Sequence, residues 1–132
     1  MKLLADTSAL LALFFRDDGN HRAAAEFLGK NGQTRFILTE LILAEVVTRL
    51  RARADAKAAV AVARELLRSR RYEVVFIEPQ LLENALHLME RFADKRLSLA
   101  DCASFETIRR LGLAGAFTFD RDFRDCGFGM FP

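Results

Sequence analysis

Soft metal ligands are scarce in this chain of 132 residues, which holds two cysteines and two histidines. Cys102 and Cys126 lie far apart and outside any paired spacing, which argues against a disulfide framework or a cysteine-based zinc site. His21 and His87 stand beside no candidate motif, so imidazole ligation has no foothold. Two unpaired thiols suit a reducing compartment, and the expected location is the cytoplasm. No apolar run approaches the roughly 20 residues of a membrane-spanning helix, so no membrane partner is expected. The opening Met1-Lys2-Leu3-Leu4-Ala5 meets Asp6 too early for a signal peptide. Glycines number seven, and none forms a phosphate-cradling loop. Charge of one sign is lacking too: a net +2 gives no whole-chain attraction to nucleic acid.

Apolar residues are plentiful. They make up 52% of the chain, with twelve phenylalanines, enough for one core without staples and one domain over residues 1–132. Short apolar runs at 3–5, 36–38, 74–77 and 116–119 predict strands, and 128–131 predicts a short edge strand. Between them the sequence predicts helices: about 9–15, 21–28, 40–53 after a Thr39 cap, an alanine-rich one at 55–69, and 98–111 before Gly112. Leu82, Ala85, Leu86, Met89, Phe92 and Ala93 recur at helical period and predict one more helix with an apolar stripe. Strands alternating with helices predict a three-layer α/β/α domain with a mainly parallel central sheet of four to five strands.

Two strands run straight into an aspartate: Lys2-Leu3-Leu4-Ala5 into Asp6, and Ala116-Phe117-Thr118-Phe119 into Asp120. A carboxylate in apolar surroundings is poorly placed for stability. It is well placed for chemistry, because open parallel sheets bind ligands beyond their strand C-termini. Asp6 with Thr7 and Ser8 also reads as a helix cap, a role compatible with metal ligation. Glu45 sits among apolar neighbours in Leu41-Ile42-Leu43-Ala44-Glu45-Val46-Val47, on a helix that reads as buried on most sides. Such a carboxylate needs a cation, an arginine partner or exposure on a polar stripe with Thr48. Ser98-Leu99-Ala100-Asp101 is a capping-box pattern, and the helix dipole there holds a carboxylate ionised. Asp122, two residues after Asp120, reads equally as a turn residue.

The order of these segments carries a resemblance. Leu-Leu-Ala-Asp-Thr-Ser-Ala-Leu at the start, Leu-Ala-Glu-Val around Glu45, Leu-Ser-Leu-Ala-Asp-Cys around Asp101 and Thr-Phe-Asp-Arg-Asp-Phe near the end resemble the PIN-domain ribonucleases. The chain is most similar to the toxins of VapBC-type toxin–antitoxin pairs, over essentially its whole length. The resemblance implies that Asp6, Glu45, Asp101 and Asp120 are the acidic active-site residues and Asp122 an additional acid. It places Thr7, Ser8 and Thr118 as hydroxyls beside a metal site. It also implies endonucleolytic hydrolysis of RNA leaving a 5′-phosphate and a 3′-hydroxyl, a cognate antitoxin and a homodimer.

The chemistry agrees with the resemblance. Carboxylates about 4 Å apart repel by roughly 4 kcal/mol per pair at an effective dielectric near 20, so several can share a pocket only with protons or cations. Oxygen ligands alone select Mg²⁺, with Mn²⁺ as its substitute, over zinc. Asp6, Asp101 and Asp120 are expected as main ligands, with Glu45 acting through water or orienting the nucleophile. A negative pocket must hold RNA by cations at its rim. Arg49, one turn beyond Glu45, and Arg121, beside Asp120, are the candidates. The basic middle of the chain, Arg49, Arg51, Arg53, Lys57, Arg64, Arg68, Arg70 and Arg71, could supply further phosphate contacts or simply solvate helices. The stretch Ala56 to Ala63 allows close helix approach, in the core or at an interface.

Rival readings are weaker. A phosphotransferase of the haloacid-dehalogenase type needs an aspartate at position 8, where serine stands, and a receiver domain needs acids where Leu4-Ala5 stand. A PIN nuclease of RNA processing or decay without an antitoxin, and a non-catalytic RNA- or protein-binding module of the same fold, remain as alternatives.

Overall fold

The computed structural model describes residues 1–132. Five parallel strands lie in the order β3-β2-β1-β4-β5. They are β1 (Lys2–Ala5), β2 (Arg35–Thr39), β3 (Tyr72–Val75), β4 (Ala116–Phe117) and β5 (Met130–Phe131). Helices fill every connection: α1 (Thr7–Phe14), α2 (His21–Lys30), α3 (Glu40–Arg53), α4 (Ala56–Arg68), α5 (Pro79–Arg91), α6 (Leu99–Leu111) and α7 (Asp122–Asp125). From β1 the chain steps to β2 and then β3 on one side, and returns to β4 on the other. Right-handed crossovers therefore put α1–α4 on one face and α5–α6 on the opposite face. The strand order reverses between β1 and β4, so the crevice beyond their C-terminal ends is where this topology binds ligands. No helix is long and apolar enough to cross a membrane.

Central strands read as unbroken apolar runs because both faces are covered. Leu3, Leu4 and Ala5 are fully buried, as are Phe36 and Leu38 of β2. Burying each large side chain stabilises the fold by roughly 1.5–3 kcal/mol. Phe117 packs between α2 and β2, its ring centroid 5.0 Å from Phe27 and 5.4 Å from Phe36. Pairing also fixes positions: Leu4 stands opposite Ile37 and Ala116, so β1 holds the axis of the sheet.

Several elements differ from the sequence expectation, each for a physical reason. The third strand lies at Tyr72–Val75 rather than 74–77, because the register matches Phe36 with Tyr72 and Thr39 with Val75. Beyond it the Ile77 N–H donates to Glu40 Oε1 at 2.8 Å, and Phe76 turns to solvent. The fourth strand stops at Phe117, two residues early. There the Phe119 N–H donates to Ser8 Oγ (2.9 Å) and the Asp120 N–H to Thr118 Oγ1 (3.0 Å), so side chains replace the ladder. The fifth is only Met130–Phe131, since the Phe128 N–H turns back to the Phe123 carbonyl.

The apolar face of α5 is rotated by one position. Leu81, Ala85 and Leu88 are buried, whereas Leu82 and Leu86 are exposed. Within the alanine-rich α4 only Ala59 and Leu66 are buried. Arg71 leaves the phosphate-facing set, because its guanidinium donates to the carbonyls of Thr34, Leu28 and Asn31 at 3.1, 3.0 and 2.6 Å. At the β4–β5 junction Gly115 has φ 152°, and a Cβ there would collide with the Gly129 carbonyl. The two backbones approach that closely only because both positions lack side chains.

Candidate active site

Asp6 sits at the reversal point, where β1 ends and α1 begins. Its N–H donates to the Phe117 carbonyl (3.0 Å), which ties it to the end of β4. Its side chain caps α1, taking the Ser8 N–H (3.4 Å) and the Ser8 hydroxyl (2.8 Å) on Oδ2. The fully buried Thr118 hydroxyl donates to the same oxygen at 2.8 Å. Asp6 is only 5% exposed. Burial pushes its pKa up to about 6, against the lowering effect of the Ser8 and Thr118 hydroxyls; Asp101 adds a further upward push.

Glu45 comes from α3 and faces the same space. It is less buried than its neighbours suggest, with 31% of its side chain exposed. Thr7 Oγ1 donates to Oε2 (3.1 Å) and Arg49 Nη2 donates to Oε1 (3.0 Å), so both its oxygens are engaged. The expected arginine partner is therefore real, and Arg49 lies at the cleft through it. Asp101 enters from α6, where the capping box forms in both directions: Ser98 N–H to Asp101 Oδ2 (2.9 Å) and Asp101 N–H to Ser98 Oγ (3.0 Å). Burial raises the Asp101 pKa against the Ser98 hydrogen bonds, and the charges of Asp120 and Glu45 raise it further. Asp120 follows β4 and uses Oδ1 to accept the Asp122 N–H at 2.9 Å.

These side chains surround one cleft of about 280 Å³ lined by Asp6, Thr7, Ser8, Glu45, Arg49, Arg96, Ser98, Asp101 and Asp120, with no hydrophobic residue. Elements distant in sequence thus deliver Asp6, Glu45, Asp101 and Asp120 to one place, together with Thr7, Ser8 and Arg49. Thr118 lies beneath the floor rather than on it. Asp122 opens α7 and acts on the cleft through its backbone N–H, and Arg121 projects to solvent outside the lining. Arg96 and Ser98 are lining residues that the sequence reading missed. Their one signal is position: Arg96 stands two residues before the Ser98 cap that places Asp101.

The donor set fits a hard divalent cation: carboxylates and hydroxyls, with no imidazole or thiol. The expected cage is not preformed, because no three acidic side chains stand close enough to hold one ion. Each carboxylate instead leans on protein donors: Asp6 on Ser8 and Thr118, Glu45 on Thr7 and Arg49, Asp101 on Ser98, and Asp120 on the Asp122 N–H. Asp6, Asp101 and Asp120 each spend a single oxygen this way, leaving Asp6 Oδ1, Asp101 Oδ1 and Asp120 Oδ2 without a protein partner.

A strand-order reversal walled by acids is a site suited to a divalent cation and a phosphate group, and comparison with known proteins narrows the class. The chain belongs to the PIN-domain family, whose profile matches residues 3–129. It is 31% identical over 126 residues to the 23S rRNA-specific endonuclease VapC20 of Mycobacterium tuberculosis, covering 96% of this chain and 95% of that one. Ribonuclease VapC26 of the same organism is 27% identical over 119 residues, covering 90% and 87%. The crystal structure of VapC20, a toxin that cleaves the sarcin-ricin loop, superposes with a TM-score of 0.88 at 29% identity, covering 96% of each chain. A toxin–antitoxin complex from Klebsiella pneumoniae shares the fold, with a TM-score of 0.69 at 17% identity over 98% of this chain and 96% of that one.

Proposed function

We propose that this chain acts as a single-domain, Mg²⁺-dependent endoribonuclease, the toxin of a type II toxin–antitoxin pair, with Mn²⁺ as a working substitute. The observation that carries the reading is the set of three aspartates around one cleft, each with one oxygen unengaged. Asp6, Asp101 and Asp120 would hold the cation, drawing closer around it than they stand without it. When bound, it neutralises a phosphodiester's charge and lowers the pKa of the attacking water.

The protein groups divide the remaining work. The Ser8 and Thr118 hydroxyls fix Asp6 Oδ2 and leave Oδ1 without a protein partner. The capping box does the same for Asp101, and the Asp122 N–H for Asp120. Glu45, with both oxygens held by Thr7 and Arg49, fits a role through water, orienting the nucleophile rather than ligating directly. Arg49 and, outside the lining, Arg121 attract the RNA backbone. The reaction leaves a 5′-phosphate and a 3′-hydroxyl. The relative named for 23S rRNA makes ribosomal RNA the first substrate to try. A homodimer in the cytoplasm, silenced by an antitoxin, completes the reading.

The test is cleavage of ribosomal RNA by purified protein with Mg²⁺, with Mn²⁺ and with EDTA, with product ends mapped. Activity that needs the divalent ion and disappears in Asp6→Asn and Asp101→Asn supports the proposal. Full cleavage by the double variant, or cleavage unaffected by EDTA, contradicts it.

A further inference from the structure

Two arginines line the acidic cleft from different elements, Arg49 on α3 and Arg96 on the segment between α5 and α6. Their states differ. Arg49 is already bound to Glu45. Arg96 makes no ion pair and no hydrogen bond with any residue, although the cleft it lines holds four carboxylates. All five of its N–H donors are thus unspent. Its guanidinium therefore adds positive charge to the acidic cleft without being held by any one carboxylate. Its segment is also anchored: the next residue, Leu97, is buried at 8% exposure, and Ser98 is locked by the capping box. That box takes the Ser98 and Asp101 N–H groups and leaves those of Leu99 and Ala100 outside it, on the same anchored turn that Arg96 precedes.

We propose that Arg96 binds the phosphate next to the scissile one, fixing the register of the RNA strand across the cleft. The inference rests on the nuclease reading above. A planar guanidinium can take two phosphate oxygens at once, which sets direction as well as affinity. Arg49 shares its guanidinium with Glu45, whereas Arg96 is the lining cation with no protein partner.

Steady-state cleavage by wild type, Arg96→Gln and Arg96→Lys tests this, using a single-stranded RNA 20-mer and a ribosomal RNA hairpin across a salt series. Arg96 is exposed and unpartnered, so both variants should keep the wild-type melting temperature. For Arg96→Gln the expected result is a KM raised about tenfold with kcat within about twofold, the loss of one charged contact. The slope of log(kcat/KM) against log[salt] should become shallower by about 0.7, the value for one phosphate on a single strand. Arg96→Lys should keep the salt slope, regain part of the KM and cut at less uniform positions. An unchanged KM and salt slope in Arg96→Gln, or a fall in kcat alone, overturns the proposal. Absence of divalent-dependent cleavage by wild type on both RNAs is a different failure, that of the nuclease reading itself.

Discussion

Thr118 Oγ1 and Asp6 Oδ2 lie 2.8 Å apart, joining the ends of β4 and β1 across 112 positions of sequence. Thr118 is fully buried and also accepts the Asp120 N–H at 3.0 Å, so one hydroxyl orders both strand-end acids. Thr118→Val removes one of the three donors on Asp6 Oδ2 and leaves the Asp120 N–H without a partner. The variant should lose about 1–3 kcal/mol of stability. Because that donor lowers the Asp6 pKa, its loss should also push the acid limb of the pH–rate profile upward. Thr118→Ser should retain both properties, and paired melting and pH–rate curves make the comparison.

Asp6 gives the protein a pH dependence of unusual sign for a carboxylate. Its folded pKa of about 6 lies above the 3.8 of the free group, so the folded state keeps a proton that the unfolded chain has released. The associated stability is fully present below about pH 4 and is lost as pH rises to about 6. The loss is on the order of 3 kcal/mol for the metal-free protein. Asp101, also raised, acts in the same direction. Asp6→Asn should therefore melt higher than wild type at pH 8 in EDTA while being inactive. Urea titrations at pH 4.5 and 8 measure both halves of this expectation.

Divalent ions should reverse that loss. Added Mn²⁺ binds the ionised form and should raise the wild-type melting temperature at pH 8 in a concentration-dependent way. Asp6→Asn and Asp101→Asn should show little or no rise. Equal rises in wild type and both variants would mean that the ion binds elsewhere.

Gly115 and Gly129 hold β4 against β5 at a separation no Cβ fits. Gly115→Ala must open that junction or strain a backbone at φ 152°. It should lose more than about 2 kcal/mol, as expected when a side chain is forced into closed packing. Denaturant midpoints read the change. Gly19→Ala should be tolerated by comparison, because that position is exposed and an added Cβ would meet no atom within 4 Å.

The sheet and the acids were legible because their signals are local. Apolar runs ending in Asp6 and Asp120 mark central parallel strands, and Ser98 with Asp101 spells a capping box. What was not legible depends on contacts between distant residues. The limits of β3 follow from its pairing with β2, and those of β4 from Ser8 and Thr118 taking over backbone N–H groups. Glu45 is less buried than its apolar neighbours imply, because Arg49 and Thr7 keep it at the rim. The face of α5 could not be fixed from period alone, since Leu81 and Leu82 both satisfy a helical stripe and only docking on α6 chooses between them. Arg96 left no pattern, because a lone cation in a connecting segment has no period.

Counting bound Mn²⁺ on the metal-free protein by electron paramagnetic resonance tests the central claim most directly, without relying on any RNA. Wild type should bind the ion saturably at pH 8, and the variant carrying Asp6→Asn, Asp101→Asn and Asp120→Asn together should bind none, with its fold confirmed by circular dichroism. Binding by the folded triple variant at wild-type strength, or no binding by wild type, would contradict the claim that these three aspartates build a divalent-cation site.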